Sequence, residues 1–303
     1  MEFREITRGL EFPEGPIAMP DGSVLVVEIQ RGTLTRISPD GTKKVVAECG
    51  GGPNGAAIGP DGRVYVCNNG GFQWHEVGGI TIPGLEPPTY SGGKIQRVDL
   101  ETGEVEDLYT HCNGVELRGP NDLVFDAEGG LWFTDHGKTR TRDRDRTGVF
   151  YASPDGSQIE EILFPLEAPN GIGLSADGGR LYVAETPTAR LFAWEILRPG
   201  EVAHASSLAP HGGTCVAGMP GFQYFDSLAV DGAGNICVAT ILNGGVTVIS
   251  PDGSSIEHIP LPDPLTTNIC FGGDDLRTAY VTLSGTGRLV AMDWPRPGLR
   301  LNF

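Results

Sequence analysis

Six residues with oxygen-bearing side chains recur at one point of a repeated pattern. In each copy the residue stands at the start of a short apolar strand, and a Gly-containing turn and a second strand follow. The six residues are Glu14, Asn54, Asn121, Asn170, Asp226 and Asn268. Carboxylate and amide oxygens are the ligands of hard divalent cations, and calcium accepts ligands from distant parts of a chain. Zinc or iron would favour His or Cys, and neither occurs at these positions. We therefore expect a calcium site if the fold brings the six side chains together.

The spacing of the copies predicts the fold that would do so. They recur every 40 to 67 residues, which is the range of propeller repeats with insertions. Between the copies lie further hairpin patterns with turn residues every 8 to 12 positions, such as residues 32–48 and 147–164. Each unit therefore has about four antiparallel strands, as one propeller blade does. In a propeller the innermost strands surround one axis, so the six residues would form a ring.

The two ends of the chain predict how the ring closes. The last unit supplies only three strands (268–274, 279–283 and 288–294), and a spare strand precedes the first unit at Glu2–Ile6. If the N-terminal strand becomes the outer strand of the last blade, no open sheet edge remains there. We predict an all-β protein in which residues 1–303 form a single six-bladed β-propeller domain closed by its N-terminal strand.

Composition limits the partners. The formal net charge of -17 argues against nucleic acid, because proteins that bind phosphates need a basic face. No apolar run approaches the length of a transmembrane helix, so we expect no membrane partner either. The six cysteines form no C-x-x-C pair and the N-terminus has no apolar leader, which favours a reduced, cytoplasmic protein. A small-molecule substrate is the remaining expectation, and the oligomeric state cannot be derived from the sequence.

Two segments interrupt the repeat after inner hairpins. Residues 71–91 are rich in Pro, Gly and aromatics, and Phe72 and Trp74 would either roof the central pocket or pack on the surface. Residues 137–146 alternate Arg with Asp, which is typical of a solvated loop. His136 precedes this loop and would either relay protons at the rim or serve as a hydrogen-bonded structural residue.

Several motifs resemble those of one known family. They are Phe12-Pro13-Glu14-Gly15-Pro16, Pro120-Asn121-Asp122, Trp132-Phe133-Thr134-Asp135, Pro169-Asn170-Gly171 and Phe225-Asp226-Ser227. Together they are similar to the SMP-30/gluconolactonase/LRE-like family of six-bladed, calcium-dependent hydrolases, over essentially the whole chain. One departure concerns the substrate. Animal aldonolactonases of this family have Arg two residues before the Asn at position 121, whereas this chain has Gly119 there and Arg118 one place earlier.

The resemblance implies a site and a reaction. Glu14, Asn170 and Asp226 would bind the metal directly, and Asn121 would bind the metal or the substrate. Asp226 would be the catalytic carboxylate, acting as general base or as nucleophile in the opening of a lactone. The metal would be Ca²⁺, with Mg²⁺, Mn²⁺ or Zn²⁺ as other possibilities. The expected substrate-binding residues are Asn121, Asn54, Asn268, Phe72, Trp74 and His136.

Two other functions remain open. A phosphotriesterase of the diisopropyl-fluorophosphatase type would use the same ion. A propeller that only binds a ligand would hold calcium as a structural plug, since this fold supports many functions. The sequence lacks a G-x-S-x-G elbow, a P-loop and an H-E-x-x-H motif, which removes support for serine hydrolases, nucleotide-binding proteins and zinc proteases.

Overall fold

The structure is a computed structural model that describes residues 2–205 and 209–303, and every regular element in these ranges is a β-strand. The first half of the chain contains β1 Phe3–Arg8, β2 Pro13–Ala18, β3 Val24–Glu28, β4 Thr33–Ile37, β5 Lys43–Glu48, β6 Pro53–Ile58, β7 Val64–Asn68, β8 Trp74–Val77, β9 Ile80–Pro83, β10 Lys94–Val98, β11 Val105–Tyr109, β12 His111–Cys112, β13 Val115–Glu116, β14 Pro120–Phe125 and β15 Leu131–Asp135. The second half contains β16 Thr147–Ala152, β17 Ile159–Leu166, β18 Pro169–Leu174, β19 Arg180–Glu185, β20 Arg190–Arg198, β21 Glu201–Val202, β22 Thr214–Gly218, β23 Tyr224–Val230, β24 Ile236–Ile241, β25 Gly245–Ile249, β26 Ile256–Pro260, β27 Thr266–Gly272, β28 Thr278–Leu283 and β29 Arg288–Asp293.

Within the described residues these strands form six antiparallel blades, which confirms the predicted six-bladed β-propeller. From the inside outwards, blade 1 is β2-β3-β4-β5, blade 2 is β6-β7-β10-β11 and blade 3 is β14-β15-β16-β17. Blade 4 is β18-β19-β20, with β22 and the short β21 both pairing with β20. Blade 5 is β23-β24-β25-β26 and blade 6 is β27-β28-β29-β1.

The N-terminal strand closes the ring as predicted. β1 pairs antiparallel with β29, from Phe3 opposite Met292 to Arg8 opposite Arg288. The first strand of the chain therefore protects the outer edge that the last three strands would otherwise leave open.

The second strand of each blade is buried along nearly its whole length because a neighbouring blade covers each of its faces. All five residues of β7 are buried, for example. Leu25 and Val27 of blade 1 share one core cluster with Val64 and Val66 of blade 2. Each such side chain contributes about 1.5–3 kcal/mol when it is fully buried, so the contacts between blades hold the ring together.

The inner strands contact one another in a closed series around the axis, in the order β2, β6, β14, β18, β23, β27 and back to β2. Glycine permits this close approach at three places. A Cβ at Gly15 would lie 2.8 Å from the backbone of Asn54 and Ala56, one at Gly55 would lie 2.5 Å from the carbonyl oxygen of Asn121, and one at Gly171 would lie 2.7 Å from that of Asp226. Each of these glycines directly follows a predicted site residue.

The 71–91 insertion folds into a hairpin of its own. β8 pairs with β9 from Trp74 opposite Pro83 to Val77 opposite Ile80, and we call residues 74–83 the rim hairpin. A second small hairpin, β12–β13, follows β11. No helix in the described parts of the chain is long and apolar enough to cross a membrane.

Candidate functional site

A β-bulge interrupts each inner strand at or beside its predicted site residue. In blade 3 the pairing passes from Pro120–Asp135 to Leu123–Phe133, and in blade 4 it passes from Pro169–Glu185 to Ile172–Val183. Corresponding shifts follow Glu14, Pro53, Phe225 and Thr266. A bulge adds one residue to one strand and redirects the side chains beside it. The strands therefore break their regular alternation at the same end of the propeller, where the chemistry was predicted.

The six predicted ring residues are all buried at this end, with relative exposures of 1–7%. Glu14 of blade 1 and Asn268 of blade 6 meet directly, since the Asn268 Nδ2 lies 2.6 Å from the Glu14 Oε2. The Gly15 backbone N–H also donates to that oxygen. The other oxygen, Oε1 of Glu14, is buried and has no hydrogen-bond partner in the described structure. Oδ1 of Asn121 is likewise buried without a hydrogen-bond partner in the described structure.

Asp226 lies beside Asn170 of the neighbouring blade. The Asn170 side chain interacts with the Asp226 carboxylate and opposes the rise of its pKa, and the Asn170 Nδ2 lies 3.1 Å from the hydroxyl oxygen of Thr186. The Ser227 hydroxyl donates to the Asn170 Oδ1 at 3.4 Å. The backbone of Asn170 is held in turn by the Thr134 hydroxyl, which donates to its carbonyl oxygen at 2.6 Å. The orientation of both side chains is thus set by contacts between blades 3, 4 and 5.

A third carboxylate belongs to this group and was not predicted as a site residue. Asp122 is buried, and it interacts with the charge of Glu14 and with the Ser227 side chain. A regular strand would place Asp122 and Asn121 on opposite faces, but the bulge brings both into the buried end of the strand. The available signal was the acidic residue directly after Asn121. We call Glu14, Asp122 and Asp226 the carboxylate trio.

The electrostatics of the trio follow from burying like charges together. Burial raises the pKa of Glu14 to about 7, although hydrogen bonds from Asn268 and Gly15 oppose the rise. Burial, together with repulsion from Glu14, raises the pKa of Asp122 to about 8. The same two causes raise the pKa of Asp226 well above its ordinary value. Three carboxyl groups in one water-poor site cannot all ionise without a counter-charge.

These observations fit a hard cation. The unpartnered oxygens of Glu14 and Asn121 are acceptors without donors, and a buried acceptor without a partner is costly. The carboxylate trio lacks a positive neighbour among its main interactions. Within the described residues no group of three or more His, Cys, Asp and Glu side chains alone has the arrangement of a metal site. A cation here would therefore be held by carboxylate and amide oxygens together, which suits calcium better than zinc.

The remaining amide of the ring, Asn54, has no role that its contacts define. It is buried, and its backbone carbonyl oxygen lies against Gly15. Asn268 is occupied by its hydrogen bond to Glu14, so in this structure it orients a carboxylate. Its predicted contact with a substrate stays a prediction, as does that of Asn54.

Several other buried acids at the same end are structural. The carboxylate of Asp135 accepts hydrogen bonds from the backbone N–H groups of Arg118, Gly119 and Gly137. Glu185 accepts from the backbone N–H of Glu167 and from the hydroxyl of Thr188. These side chains fix the loops that lead into the inner strands, so they hold the rim in place.

The predicted aromatic residues lie at the rim above the ring. Phe72 and Trp74 pack against Phe12, two residues before Glu14, and the Phe12 and Trp74 ring centroids are 5.0 Å apart. The ring of His136 has an Nε2 atom that is buried and unpartnered within the described structure. Burial, with the positive charges of Arg144 and Lys138, lowers the pKa of His136 to about 3. Its ring is therefore neutral at physiological pH, and its proton-relay role stays a prediction.

The segment 137–146 is not simply the solvated loop that its alternating charges suggested. Lys138 is 1% exposed. Arg140 and Asp145 are joined by a 2.7 Å ion pair, and Arg118 contacts Asp145 at 3.1 Å. Arg118 is therefore engaged in this network and lies over the Tyr90 ring, beside the 71–91 insertion.

Two cavities are present elsewhere on the described surface. They have volumes of about 390 Å³ and about 290 Å³ and lie against blade 4, near Trp194 and His211 respectively. No ring residue lines either of them. The buried ring is the better candidate for the active site because it contains carboxylates of the trio and the unpartnered oxygens of Glu14 and Asn121.

Comparison with known proteins places this chain in a family. The sequence profile of the SMP-30/Gluconolactonase/LRE-like region matches residues 12–285. The chain is 31% identical over 259 residues to lactonase drp35 of Staphylococcus saprophyticus, covering 84% of this chain and 71% of that protein. It is 28% identical over 291 residues to lactonase drp35 of Staphylococcus epidermidis, covering 93% of this chain and 78% of that protein.

Solved structures agree on the fold. A gluconolactonase from Xanthomonas campestris superposes with a TM-score of 0.74 at 24% identity, covering 97% of this chain and 89% of that one. A calcium-binding protein, regucalcin from Agrobacterium tumefaciens, superposes with a TM-score of 0.72 at 17% identity, covering 98% and 99%. On its sequence match and its fold, this chain belongs to the SMP-30/gluconolactonase/LRE-like family.

Proposed function

We propose that the protein is a calcium-dependent lactonase in which Asp226 is the catalytic carboxylate. The observation that carries the proposal is the carboxylate trio, buried at one end of the propeller together with the unpartnered oxygens of Glu14 and Asn121. The family relatives named as lactonases support the reaction class.

Glu14, Asn170 and Asp226 would hold the cation directly, and Asn121 and Asp122 would complete its oxygen shell. A bound calcium ion would supply a positive charge that polarises the lactone carbonyl and offsets the negative charge that develops on its oxygen. Calcium is preferred to Mg²⁺, Mn²⁺ or Zn²⁺ because the donors are oxygens contributed by several blades.

The protein's own groups would move the proton. The Asp226 carboxylate takes a proton from a water molecule, and the water oxygen adds to the carbonyl carbon of the lactone. The ring C–O bond then breaks, the leaving oxygen recovers the proton from Asp226, and the product is a hydroxy acid. The Asn170 side chain, which interacts with Asp226, would orient the Asp226 carboxylate during both transfers. Asn268 does the same for Glu14.

The central test is a panel of lactones and esters with and without EDTA, followed by return of calcium, magnesium, manganese or zinc. We expect lactone turnover that EDTA abolishes and that calcium restores best. The panel includes a phosphotriester, so preferential turnover of that compound would replace the lactonase assignment with the phosphotriesterase alternative. A protein that binds calcium but turns over no member of the panel would support the non-catalytic alternative.

Asp226→Asn tests the catalytic assignment. Asparagine has the same shape and cannot accept a proton at neutral pH, so we expect turnover to fall by about 10²-fold or more while the fold is retained. Asp231→Asn is the matched control, because Asp231 is a fully buried aspartate that directly follows β23 and forms an ion pair with Arg296. Full lactonase activity in Asp226→Asn would remove Asp226 from the mechanism.

Isotope labelling separates the base from the nucleophile. If Asp226 acts as a base, a single turnover in H₂¹⁸O places the label in the hydroxy acid. If it attacks the carbonyl carbon itself, an anhydride forms between Asp226 and the substrate, and the label enters the Asp226 carboxylate when water adds to the Asp226 carbon of that anhydride. Mass spectrometry of the peptide that contains Asp226 distinguishes the two outcomes.

A further inference from the structure

The most unusual charged group outside the carboxylate trio is Lys138. Its side chain is 1% exposed, and its Nζ donates hydrogen bonds to the carbonyl oxygens of Asn69 at 2.8 Å and Gly71 at 2.5 Å. The same nitrogen lies 4.2 Å from the centroid of the Phe72 ring and 5.4 Å from that of Tyr90. Carbonyl oxygens and aromatic faces both attract an ammonium group. All four partners lie in residues 69–90, whereas Lys138 belongs to the loop between β15 and β16 of blade 3.

The segment that Lys138 holds extends over the end of the propeller where the ring lies. From Gly71 the chain runs into the rim hairpin, whose Trp74 packs on Phe12 of blade 1. The Thr81 backbone N–H donates to the carbonyl oxygen of Gly285 in blade 6 at 2.8 Å. Ile80 and Ile82 pack in the same apolar cluster as Leu265, at the entry to β27.

The contacts of the hairpin lie close to the ring in sequence and in space. Phe12 is two residues before Glu14, and Leu265 is three residues before Asn268. The hairpin therefore lies against blades 1 and 6 at the end of the propeller where the ring lies, and contributes aromatic and aliphatic side chains there. Beyond it, Glu86 anchors the returning chain to blade 3, through an ion pair with Arg140 at 3.2 Å and a hydrogen bond to the carbonyl oxygen of Thr139.

We propose that Lys138 is a positioning residue that fixes Phe72 and the rim hairpin as an apolar wall beside the ring. The wall would select lactones that carry an apolar substituent, either alkyl or aryl. This inference rests on the proposed lactonase function for its substrate class. We call the hold of Lys138 on residues 69–90 the clamp, and this part of the inference rests on the contacts of Lys138 alone.

The wall and the ring would contact different parts of the substrate. The wall's members Phe72, Trp74 and Ile80 offer carbon surface, and burying the apolar surface of a ligand against such side chains is favourable. The ring of amides and carboxylates would face the lactone group itself. A side chain as long as lysine loses much rotamer freedom when it is buried, so the ammonium can hold this position only because two carbonyl oxygens and two rings receive it.

Lys138→Met tests the clamp, because methionine keeps the apolar stem and removes the ammonium. Lys43→Met is the matched control. Lys43 also donates to two backbone carbonyl oxygens, Arg8 at 2.6 Å and Gly9 at 3.0 Å, but it is exposed. We expect Lys138→Met to raise KM by about tenfold for a lactone with an apolar substituent. The kcat for the unsubstituted lactone and the affinity for calcium should stay at the wild-type values. Lys43→Met should change none of these quantities.

Fluorescence provides a readout that does not depend on turnover. Of the four tryptophans, Trp132, Trp194 and Trp294 are buried, so Trp74 is the tryptophan that a collisional quencher can reach. We expect acrylamide quenching of Trp74 to increase in Lys138→Met and to be unchanged in Lys43→Met. Trp74→Leu should remove the quenchable signal and weaken selectivity for the apolar substituent as Lys138→Met does.

The outcomes test the positioning role of Lys138 and the selectivity for apolar substituents separately. Unchanged quenching in folded Lys138→Met would overturn the clamp. Increased quenching with an unchanged ratio of kcat/KM between the two lactones would overturn the apolar selectivity. If the wild-type protein opens no lactone at all, the proposed function and the substrate class fail together, and the quenching result still decides the clamp.

Discussion

Removing the cation should make the folded protein lose stability as the pH rises. In the chelated protein the carboxylate trio is buried without a counter-charge, and burial with mutual repulsion raises the pKa of each member. When the folded-state pKa of an acid exceeds its unfolded value, the folded state binds more protons over the interval between the two. Stability is therefore greatest below the unfolded pKa and is lost as the pH rises through the folded one.

The magnitude can be worked for Asp122. Its pKa is about 8 in the folded protein, and an aspartate in an unfolded chain has a pKa of about 3.9. Each pH unit between these values costs about 1.4 kcal/mol, so the loss from this residue between pH 4 and pH 7 is at most about 4 kcal/mol. Glu14, with a folded-state pKa of about 7, acts in the same direction between about pH 4.3 and pH 7.

The assay is urea unfolding in EDTA at pH 5 and pH 8, followed by the same measurement with saturating calcium. We expect the chelated wild type to be several kcal/mol less stable at pH 8, and calcium to reverse most of the loss because it binds only the folded state. Asp122→Asn removes one charge and keeps an oxygen that can accept from the Leu123 N–H. This variant should be more stable than the wild type in EDTA at pH 8 and should bind calcium more weakly.

Asp263→Asn is the matched control for this experiment. The Asp263 oxygens accept from the backbone N–H groups of Leu265 and Thr286 and from the Thr286 hydroxyl, so an amide there loses acceptors and should destabilise the protein at both pH values. The reasoning is refuted if the chelated wild type is equally stable at pH 5 and pH 8. It is also refuted if Asp122→Asn proves less stable than the wild type in EDTA at pH 8.

Two further predictions concern the frame around the site. Gly171→Ala would place a Cβ 2.7 Å from the Asp226 carbonyl oxygen and the Leu228 nitrogen; we expect a lower Tm and lost turnover, and wild-type values for both would contradict the close approach of these strands. Burial lowers the pKa of Lys138 to about 8, against about 10.4 in an unfolded chain. Because the unfolded state then binds more protons, the stability of the wild type should rise relative to Lys138→Met between pH 8 and pH 10.4. The same dependence of stability on pH in the two proteins over that interval would count against a lowered pKa of Lys138 in the folded protein.

Much of the fold could be predicted from the sequence because propeller blades repeat. The phase of the oxygen-bearing residues gave the number of blades, and the three strands at the end with a spare strand at the beginning gave the closure, which β1 and β29 confirm. The predicted strands of the last unit, 268–274, 279–283 and 288–294, differ from the observed ones by at most two residues at either end. Local alternation and turn residues determine these features, so they can be predicted without a tertiary structure.

The candidate site could be predicted only in part. The ring residues were found because each opens a repeat, but Asp122 was missed because a regular strand would direct it away from Asn121. The bulge that brings it inward depends on the pairing of β14 with β15. Lys138 was missed for a related reason, since alternating Arg and Asp residues usually mark a solvated loop.

What the sequence by itself determined was therefore a periodic property: which residues begin each inner strand, and how many blades surround the axis. What only the tertiary structure decided was which side chains meet across blades. The bond between Asn268 and Glu14 joins residues at opposite ends of the chain, and the carbonyl oxygens that receive Lys138 lie 67 and 69 residues before it. Such contacts depend on closure of the ring and on the path of one insertion, and these are set by packing across the whole molecule rather than by any local pattern.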